Sequence, residues 1–327
     1  MLLSITHQTD LDYTDYISES VMELRMAPRQ EASQHRLSFG LAIGPAAPVR
    51  SYFDWLGNTV HALSINSLHN QIRIIATSVV ETPSKASNFE NINDLWLGNN
   101  SDYDYTLYDF LQFGGSVVDT PLLRNLANGL VDDLRNQHPE RDITLHDLIS
   151  AMMKVIDEKF VYEKGITSAA SPITEILEHG RGVCQDFTHL MIGLARALNI
   201  PARYVSGYIH PDRHRFRGYT QTHAWVEIYV PSVGWIGIDP TNNCPVGQNF
   251  VKIAVGRNFQ DVPPNRGVYK GQGKETIRVV VHTDELFEMP QELAVEKTEA
   301  LNIPVFAGTI DEQREQIKQQ QEQQQQQ

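Results

Sequence analysis

The chain has 327 residues, of which 41% are hydrophobic and 20% are charged, a composition typical of soluble globular proteins with one or two domains. Its 27 basic and 40 acidic residues give a formal net charge of −13. Because attraction to phosphate requires a basic surface, this balance argues against nonspecific binding to nucleic acid or to an anionic membrane. The first residues lack the basic and apolar segments of a secretory signal, and no apolar run approaches the ~20 residues of a membrane span. These features predict a cytoplasmic protein.

Alternating apolar and polar residues mark the first part of the chain, as in Leu37, Phe39 and Leu41. Because successive side chains of a strand point to opposite faces, a period of two predicts half-buried strands. Turn-forming residues between these runs predict an antiparallel, β-sandwich-like domain over residues 1–81. The polar stretch 82–118 is predicted to be a linker or a long loop.

Two amphipathic helices are predicted next. The first begins with Pro121 behind the capping residue Thr120, and the second has Thr144 and Asp147 at the spacing of a capping box. Their apolar stripes are typical of helices that face a core. Residues 119–285 are predicted to form this helical segment and an α+β core. In the remaining tail, 286–327, the Gln-rich end has too little apolar surface to offset chain entropy and is predicted to be disordered.

A third helix is predicted from about Cys184 to Leu198, because apolar residues recur there at helical spacing and Pro201 follows. Gly180 and Gly182 predict a turn immediately before it. Cys184 would lie on the first turn, where free backbone N–H groups and the positive end of the helix dipole favour a thiolate. A free cysteine is also a common small core residue. The helix alone therefore leaves a nucleophile and a structural thiol equally open.

His223 and Asp239 supply the other groups that a cysteine nucleophile needs. His223 lies near the start of one predicted strand and Asp239 ends the next, each eight positions from Pro231. A hairpin centred on Pro231 would pair them directly on one face, whereas a centre one residue later would shift the register by two. A carboxylate on one imidazole nitrogen, with the other nitrogen facing a thiol, is the arrangement of a nucleophilic triad. Cys184 would attack a carbonyl, and its own N–H would meet the oxyanion with a second, unassigned donor.

The segments RGVCQDF and THAWVEIYVPSVGWIGIDPTN resemble the core of the bacterial transglutaminase-like superfamily, and THQTDLDY and LRMAPR resemble the N-terminal domain that often precedes it. The resemblance covers most of residues 1–285. It implies a papain-like core whose catalytic helix packs on an antiparallel sheet, with Cys184, His223 and Asp239 as the triad. The sequence lacks the paired CxxC motifs of the related peptide-N-glycanases and shows no evident match to the calcium sites of animal transglutaminases. No cofactor is predicted.

Three residues near the triad are candidates for supporting the site or its oxyanion: Gln185, Asp186 and Trp225. Asp186 could instead only complement the helix dipole. Trp225 could serve only in packing, or it could shield the thiolate from water.

A zinc site is the competing interpretation, since zinc takes thiolate and imidazole ligands and the chain offers Cys184, His189, His210, His223 and Cys244. Their spacing forms no tight ligand pair, and His189 would lie about 140° round the helix from Cys184. No metal is therefore predicted. Cys244, which follows the Asp239 strand, is predicted to be a packing or surface thiol, with a loop thiol near the site as the alternative.

The segment from His210 to Gly218 is a concentrated basic stretch in an acidic chain. Arg213, Arg215 and Arg217 are predicted to recognise a carboxylate-bearing substrate through charge-assisted hydrogen bonds. The alternative is a solvated loop with no specific role.

The sequence as a whole predicts a thiol peptidase or amidase that acts on a peptide or protein amide. The nearest alternative is a transglutaminase, which forms the same acyl-enzyme but resolves it with an amine instead of water. The third possibility is a non-catalytic scaffold or binding module.

Overall fold

The computed structural model describes residues 1–83, 89–98, 102–168, 171–210, 222–290 and 296–306, together with positions 311, 312 and 315. The chain divides into two compact units. We call them the strand unit (residues 2–28, 36–80 and 264–327) and the core unit (residue 1 and residues 29–35 and 81–263).

The described residues contain fifteen strands and four α-helices. In chain order the strands are β1 Leu2–Leu24, β2 His35–Gly44, β3 Val49–Phe53, β4 Thr59–Ile65, β5 His69–Glu81, β6 Val161–Tyr162, β7 Arg181–Gly182, β8 Ala202–Ile209, β9 His223–Val230, β10 Gly234–Asp239, β11 Cys244–Pro245, β12 Phe250–Gly256, β13 Asn265–Gly271, β14 Glu275–Glu285 and β15 Lys297–Ala300. The helices are α1 Pro121–Gln137, α2 Leu145–Lys159, α3 Ile173–His179 and α4 Cys184–Ala197.

The strand unit is built round β1, which pairs with β4, β13 and β14 in an eight-stranded sheet. Alternate residues of β1, β2 and β5 are buried, because one face of each of these strands contributes to the core of the unit. The strand-rich domain predicted from the period of two is confirmed. Two details differ from the prediction. β15 pairs with β2 in parallel, and β13 and β14, which lie within the range predicted for the catalytic core, pair with β1.

The core unit contains a five-stranded sheet in the order β11-β10-β9-β8-β12, with α4 packed against β8 and β9. Tyr204 of β8 faces α4, since its ring lies 5.0 Å from that of His189. Because side chains alternate along a strand, Arg203 and its cross-strand partner Glu227 lie on the opposite face. Arg196 of α4 is buried and donates hydrogen bonds to four backbone carbonyls, which ties the helix to the surrounding loops.

The predicted helices form close to their predicted limits. Thr120 accepts a hydrogen bond from the Leu123 N–H, and Thr144 and Asp147 cap α2 reciprocally. In the described residues of the predicted linker 82–118 there are instead two short 3-10 helices with buried apolar residues. α3 and the parallel pair β6–β7 are additions to the predicted elements. Among the described helices, none has the length and apolar character that a membrane crossing requires.

Candidate active site

Cys184 is the first residue of α4 and is buried. Asp186 caps this end of the helix, since its Oδ2 accepts the Val183 N–H at 2.7 Å and the Thr167 hydroxyl at 2.6 Å. Gly182 permits this approach, because a Cβ at that position would lie 2.7 Å from Asp186 Oδ2. The helix start that carries the thiol is therefore held by a buried carboxylate.

His223 and Asp239 are directly bonded: Nε2 of His223 donates to Oδ2 of Asp239 at 2.8 Å. Their predicted cross-strand pairing is wrong. Gly234 pairs with Val230, so the hairpin is centred one residue beyond Pro231. The same register, continued along the strands, places Asp239 opposite Trp225. His223 and Asp239 are diagonal neighbours on one face instead, which is still within the reach of their side chains.

Both oxygens of the Asp239 carboxylate accept hydrogen bonds. Its Oδ1 accepts the N–H groups of Thr241 at 2.9 Å and Asn242 at 3.3 Å. Its Oδ2 accepts the Asn242 side-chain amide at 2.6 Å in addition to His223. These bonds fix the orientation of the carboxylate and, through it, that of the imidazole. Asn242 is not among the residues predicted for the site, although the turn residues that follow Asp239 are a local signal for such a cradle.

The environment of His223 favours its charged form. Burial lowers the pKa of His223, but the charge of Asp239, its hydrogen bond and the neighbouring Cys184 outweigh burial and raise that pKa to about 10. Nδ1 of His223 is buried and has no hydrogen-bond partner in the described part of the chain. Since Nε2 is engaged by Asp239, Nδ1 is the nitrogen available to Cys184. Nucleophile and base in an unliganded site often stand further apart than in the reacting complex.

Tyr162 is a residue near the thiol that the sequence analysis missed. It lies on β6, opposite Gly182 of β7. Burial raises the pKa of Tyr162 to about 12, and the negative charges of Cys184 and Asp239 add to the increase. Within the described residues its hydroxyl makes no hydrogen bond. It is therefore a free donor close to the thiol, and no local sequence pattern marks it.

The other predicted support residues have different surroundings. Trp225 is buried, its ring lies 6.3 Å from that of His223, and its indole N–H has no acceptor among the described residues. The Gln185 side chain is half-buried and makes no hydrogen bond within the described part. Arg213, Arg215 and Arg217 lie outside the described residues, so their predicted role in substrate recognition stays a prediction.

Two of the residues considered for zinc, Cys184 and His223, are neighbours in the candidate triad. His189 accepts the Phe259 N–H on Nε2 at 3.1 Å, and burial lowers its pKa to about 3. Cys244 is buried on β11 opposite Asp239. Across the described ranges, no group of three or more His, Cys, Asp or Glu side chains is arranged to hold a metal ion.

Removing the carboxylate that caps α4 is expected to lower the reactivity of Cys184, because this carboxylate holds the helix start that carries the thiol. We expect Asp186→Ala to slow iodoacetamide alkylation of Cys184 about fivefold and to lower the free energy of unfolding by about 1 kcal/mol, the usual cost of a lost N-terminal cap. Asp186→Asn keeps an acceptor for the Val183 N–H and should stay within about twofold of the parent. Alkylation by mass spectrometry in a Cys244→Ala background and urea unfolding provide the measurements. Unchanged rates in both variants would contradict the positioning role.

The described fold and site define a class of protein: an α+β core in which a helix-terminal thiol, a buried imidazole and a buried carboxylate come together. The sequence comparisons agree with this class. The transglutaminase-like superfamily matches residues 130–240, and the bacterial transglutaminase-like N-terminal region matches residues 3–81. The chain belongs to the transglutaminase-like superfamily.

Three relatives illustrate the range of this similarity. An uncharacterized protein of Mycobacterium leprae is 30% identical over 287 residues, which cover 87% of this chain and 99% of the relative. A protein-glutamine gamma-glutamyltransferase of Pseudomonas aeruginosa is 32% identical over 123 residues, or 35% of this chain and 18% of that protein. A proposed cysteine protease from Cytophaga hutchinsonii shares the fold, with a TM-score of 0.67 at 22% identity over 89% of this chain and 93% of that one.

Proposed function

We propose that the protein is a cysteine-nucleophile enzyme that cleaves an amide bond of a peptide or protein through Cys184, His223 and Asp239. The observation that carries this proposal is the buried His223–Asp239 hydrogen bond of 2.8 Å, next to a thiol at the first turn of α4. An imidazole held as a cation beside a thiol favours the thiolate, which is the reactive form of cysteine. A merely structural cysteine would have no need of this pair.

In the proposed reaction, the Cys184 thiolate adds to the amide carbonyl and forms a tetrahedral oxyanion. The Cys184 backbone N–H and the Tyr162 hydroxyl are the proposed donors to this oxyanion. The imidazolium of His223 transfers its proton to the leaving nitrogen as the C–N bond breaks, which leaves a thioester and a neutral imidazole. His223 then takes a proton from water or from an amine as that group attacks the thioester, and the Cys184 thiolate is released.

Hydrolysis is the preferred outcome, with transamidation of protein glutamine as the alternative. The names of two similar proteins correspond to the two outcomes: a proposed cysteine protease corresponds to hydrolysis, and a protein-glutamine gamma-glutamyltransferase corresponds to transamidation. Both outcomes share the thioester and differ only in the group that resolves it. The cytoplasmic location stays a prediction.

An amine-trapping assay separates these functions. The protein is incubated with a Gln-rich, unfolded protein substrate and a fluorescent primary amine, with Cys184→Ala as the matched control. New amino termini that require Cys184 support a peptidase, released ammonia without amine incorporation supports an amidase, and incorporated amine supports a transglutaminase. If Cys184 neither forms a thioester with activated acyl esters nor alkylates faster than an ordinary thiol, the protein is a scaffold and the proposal fails.

A further inference from the structure

A cavity of about 360 Å³ lies within the core unit, on the face of the five-stranded sheet opposite α4. The sheet contributes three charged residues to its lining, Arg203, Glu227 and Lys252, and the segment 29–35 contributes Glu31 and Ser33. A volume of this size accommodates one or two amino-acid side chains. The mechanism proposed above assigns no task to these residues.

The charged residues of the cavity form a chain of ion pairs. Arg203 binds Oε2 of Glu227 at 2.6 Å, and Lys252 bridges Oε1 of Glu227 to Oε2 of Glu31. Oε1 of Glu31 is taken by Arg29 at 2.7 Å. Every carboxylate oxygen is thus engaged by a cation. Arg29 pairs with Glu31 without lining the cavity, so the lining itself carries two cations and two carboxylates.

Several N–H donors of the cavity, unlike its carboxylate oxygens, are left without a hydrogen-bond partner among the described residues. A guanidinium has five N–H groups, and those on Nη1 of Arg203 make no hydrogen bond within the described residues. Lys252 has three N–H groups and uses two of them on carboxylates. The buried indole N–H of Trp225, which also lines the cavity, has no acceptor in the described part. Spare donors without spare acceptors favour a ligand rich in hydrogen-bond acceptors.

The walls of the cavity are held in place independently of a ligand. Gln34 accepts the Lys252 N–H and donates to the Lys252 carbonyl, both at 2.8 Å, which fastens the segment 29–35 to β12. The Arg203 guanidinium stacks over Trp235 at 4.2 Å from the ring centroid. A preorganised wall of this kind reduces the ordering cost of binding.

Residues that line the cavity also surround His223. Two of the lining rings, those of Trp225 and Phe250, lie 6.3 and 6.2 Å from the His223 ring.

We propose that this cavity is a substrate subsite for a side chain that ends in a carboxylate, close in sequence to the amide that Cys184 attacks. The inference rests on the proposed function and adds a substrate class to it. A carboxylate offers oxygens to the spare donors, and those donors include the charged groups of Arg203 and Lys252. A substrate ammonium would meet carboxylates whose oxygens are already engaged, and an apolar side chain would leave the donors unpaired at a cost in affinity.

The test uses Ser33, an exposed residue at the cavity that takes no part in the ion pairs. Binding of N-acetylglutamate amide and N-acetylglutamine amide to a Cys184→Ala protein is measured by titration calorimetry. We expect the acid to bind at least about fivefold more tightly than the amide. Ser33→Glu should weaken binding of the acid about three- to tenfold and Ser33→Lys should strengthen it, while the amide compound is unaffected. Ser33→Ala is the control for loss of the hydroxyl.

Catalysis is measured separately, so that the two proposals fail separately. Equal affinity for acid and amide, or binding of the acid that ignores the charge at position 33, would overturn the subsite whatever the reactivity of Cys184. Charge-sensitive binding together with an unreactive Cys184 would overturn the proposed enzyme and, with it, the assignment of the cavity as a substrate subsite. In the active protein, kcat/KM for glutamate-containing peptides should be highest in Ser33→Lys and lowest in Ser33→Glu. This result would support both the proposed enzyme and the proposed subsite.

Discussion

Replacing His223 with alanine is expected to remove the reactivity of Cys184 toward iodoacetamide at acidic and neutral pH, with a rate loss of about 10- to 100-fold at pH 6. The reason is the charge of the imidazole. With the His223 pKa raised to about 10, the imidazolium is present across the range in which an ordinary thiol, with a pKa near 8.5, is almost wholly protonated. The lower intrinsic nucleophilicity of a stabilised thiolate offsets part of the gain.

The pH profile of the alkylation rate is the measurement, in a Cys244→Ala background so that one thiol reports. The parent protein should be alkylated faster than His223→Ala at acidic and neutral pH, and the two rates should converge as the imidazolium is lost near pH 10. His179→Ala, which removes an exposed imidazole from α3, is the matched control and should match the parent. Identical profiles with and without His223 would rule out the activated pair.

The same raised pKa has a consequence for stability. Because the folded-state pKa of His223 lies above its ordinary value of 6.5, protonation of His223 contributes stability that is fully present below pH ~6.5. This contribution is lost as the pH rises through about 10. The His223→Ala protein should therefore lose less stability than the parent between pH 7 and pH 10.

Replacing Asp239 with asparagine is the second change with a large expected effect. The carboxylate charge is what overcomes burial at His223, so without it the His223 pKa should fall to its ordinary value near 6.5 or below. An amide at this position also favours the wrong imidazole tautomer, because it can donate to Nε2. We expect kcat/KM for an amide substrate to fall about 10³- to 10⁴-fold, the range seen when the carboxylate of a comparable triad is neutralised.

The pKa of His223 in Asp239→Asn can be followed by the NMR signals of its ring protons, and catalysis by hydrolysis or amine incorporation. Asn242→Ala is the informative control, because it removes one hydrogen bond from Asp239 and leaves the negative charge. It should lower kcat/KM by no more than about tenfold. A high His223 pKa that persists in Asp239→Asn, or an equal loss in both variants, would show that the charge of Asp239 is not what activates the site.

Features that depend on neighbouring residues were predictable from the sequence. The helix starts at Pro121, Leu145 and Cys184 could be placed because caps and apolar stripes are local patterns. Cys184, His223 and Asp239 could be selected as candidates because the position of each within a helix or strand already suggests a chemical role. The strand-rich character of residues 1–81 followed from a period of two.

The tertiary structure decided what depends on residues far apart in the chain. The sequence could not exclude the later hairpin centre, and only the observed register shows that His223 and Asp239 meet as diagonal neighbours. β13 and β14 pair with β1 across some 250 residues of sequence, a choice that no local pattern contains. Tyr162 comes near the thiol through a two-residue parallel pair, and the cavity gathers Glu31, Arg203, Glu227 and Lys252 from four segments. Local sequence determines which elements form and where they begin, whereas contacts between distant segments determine which side chains meet.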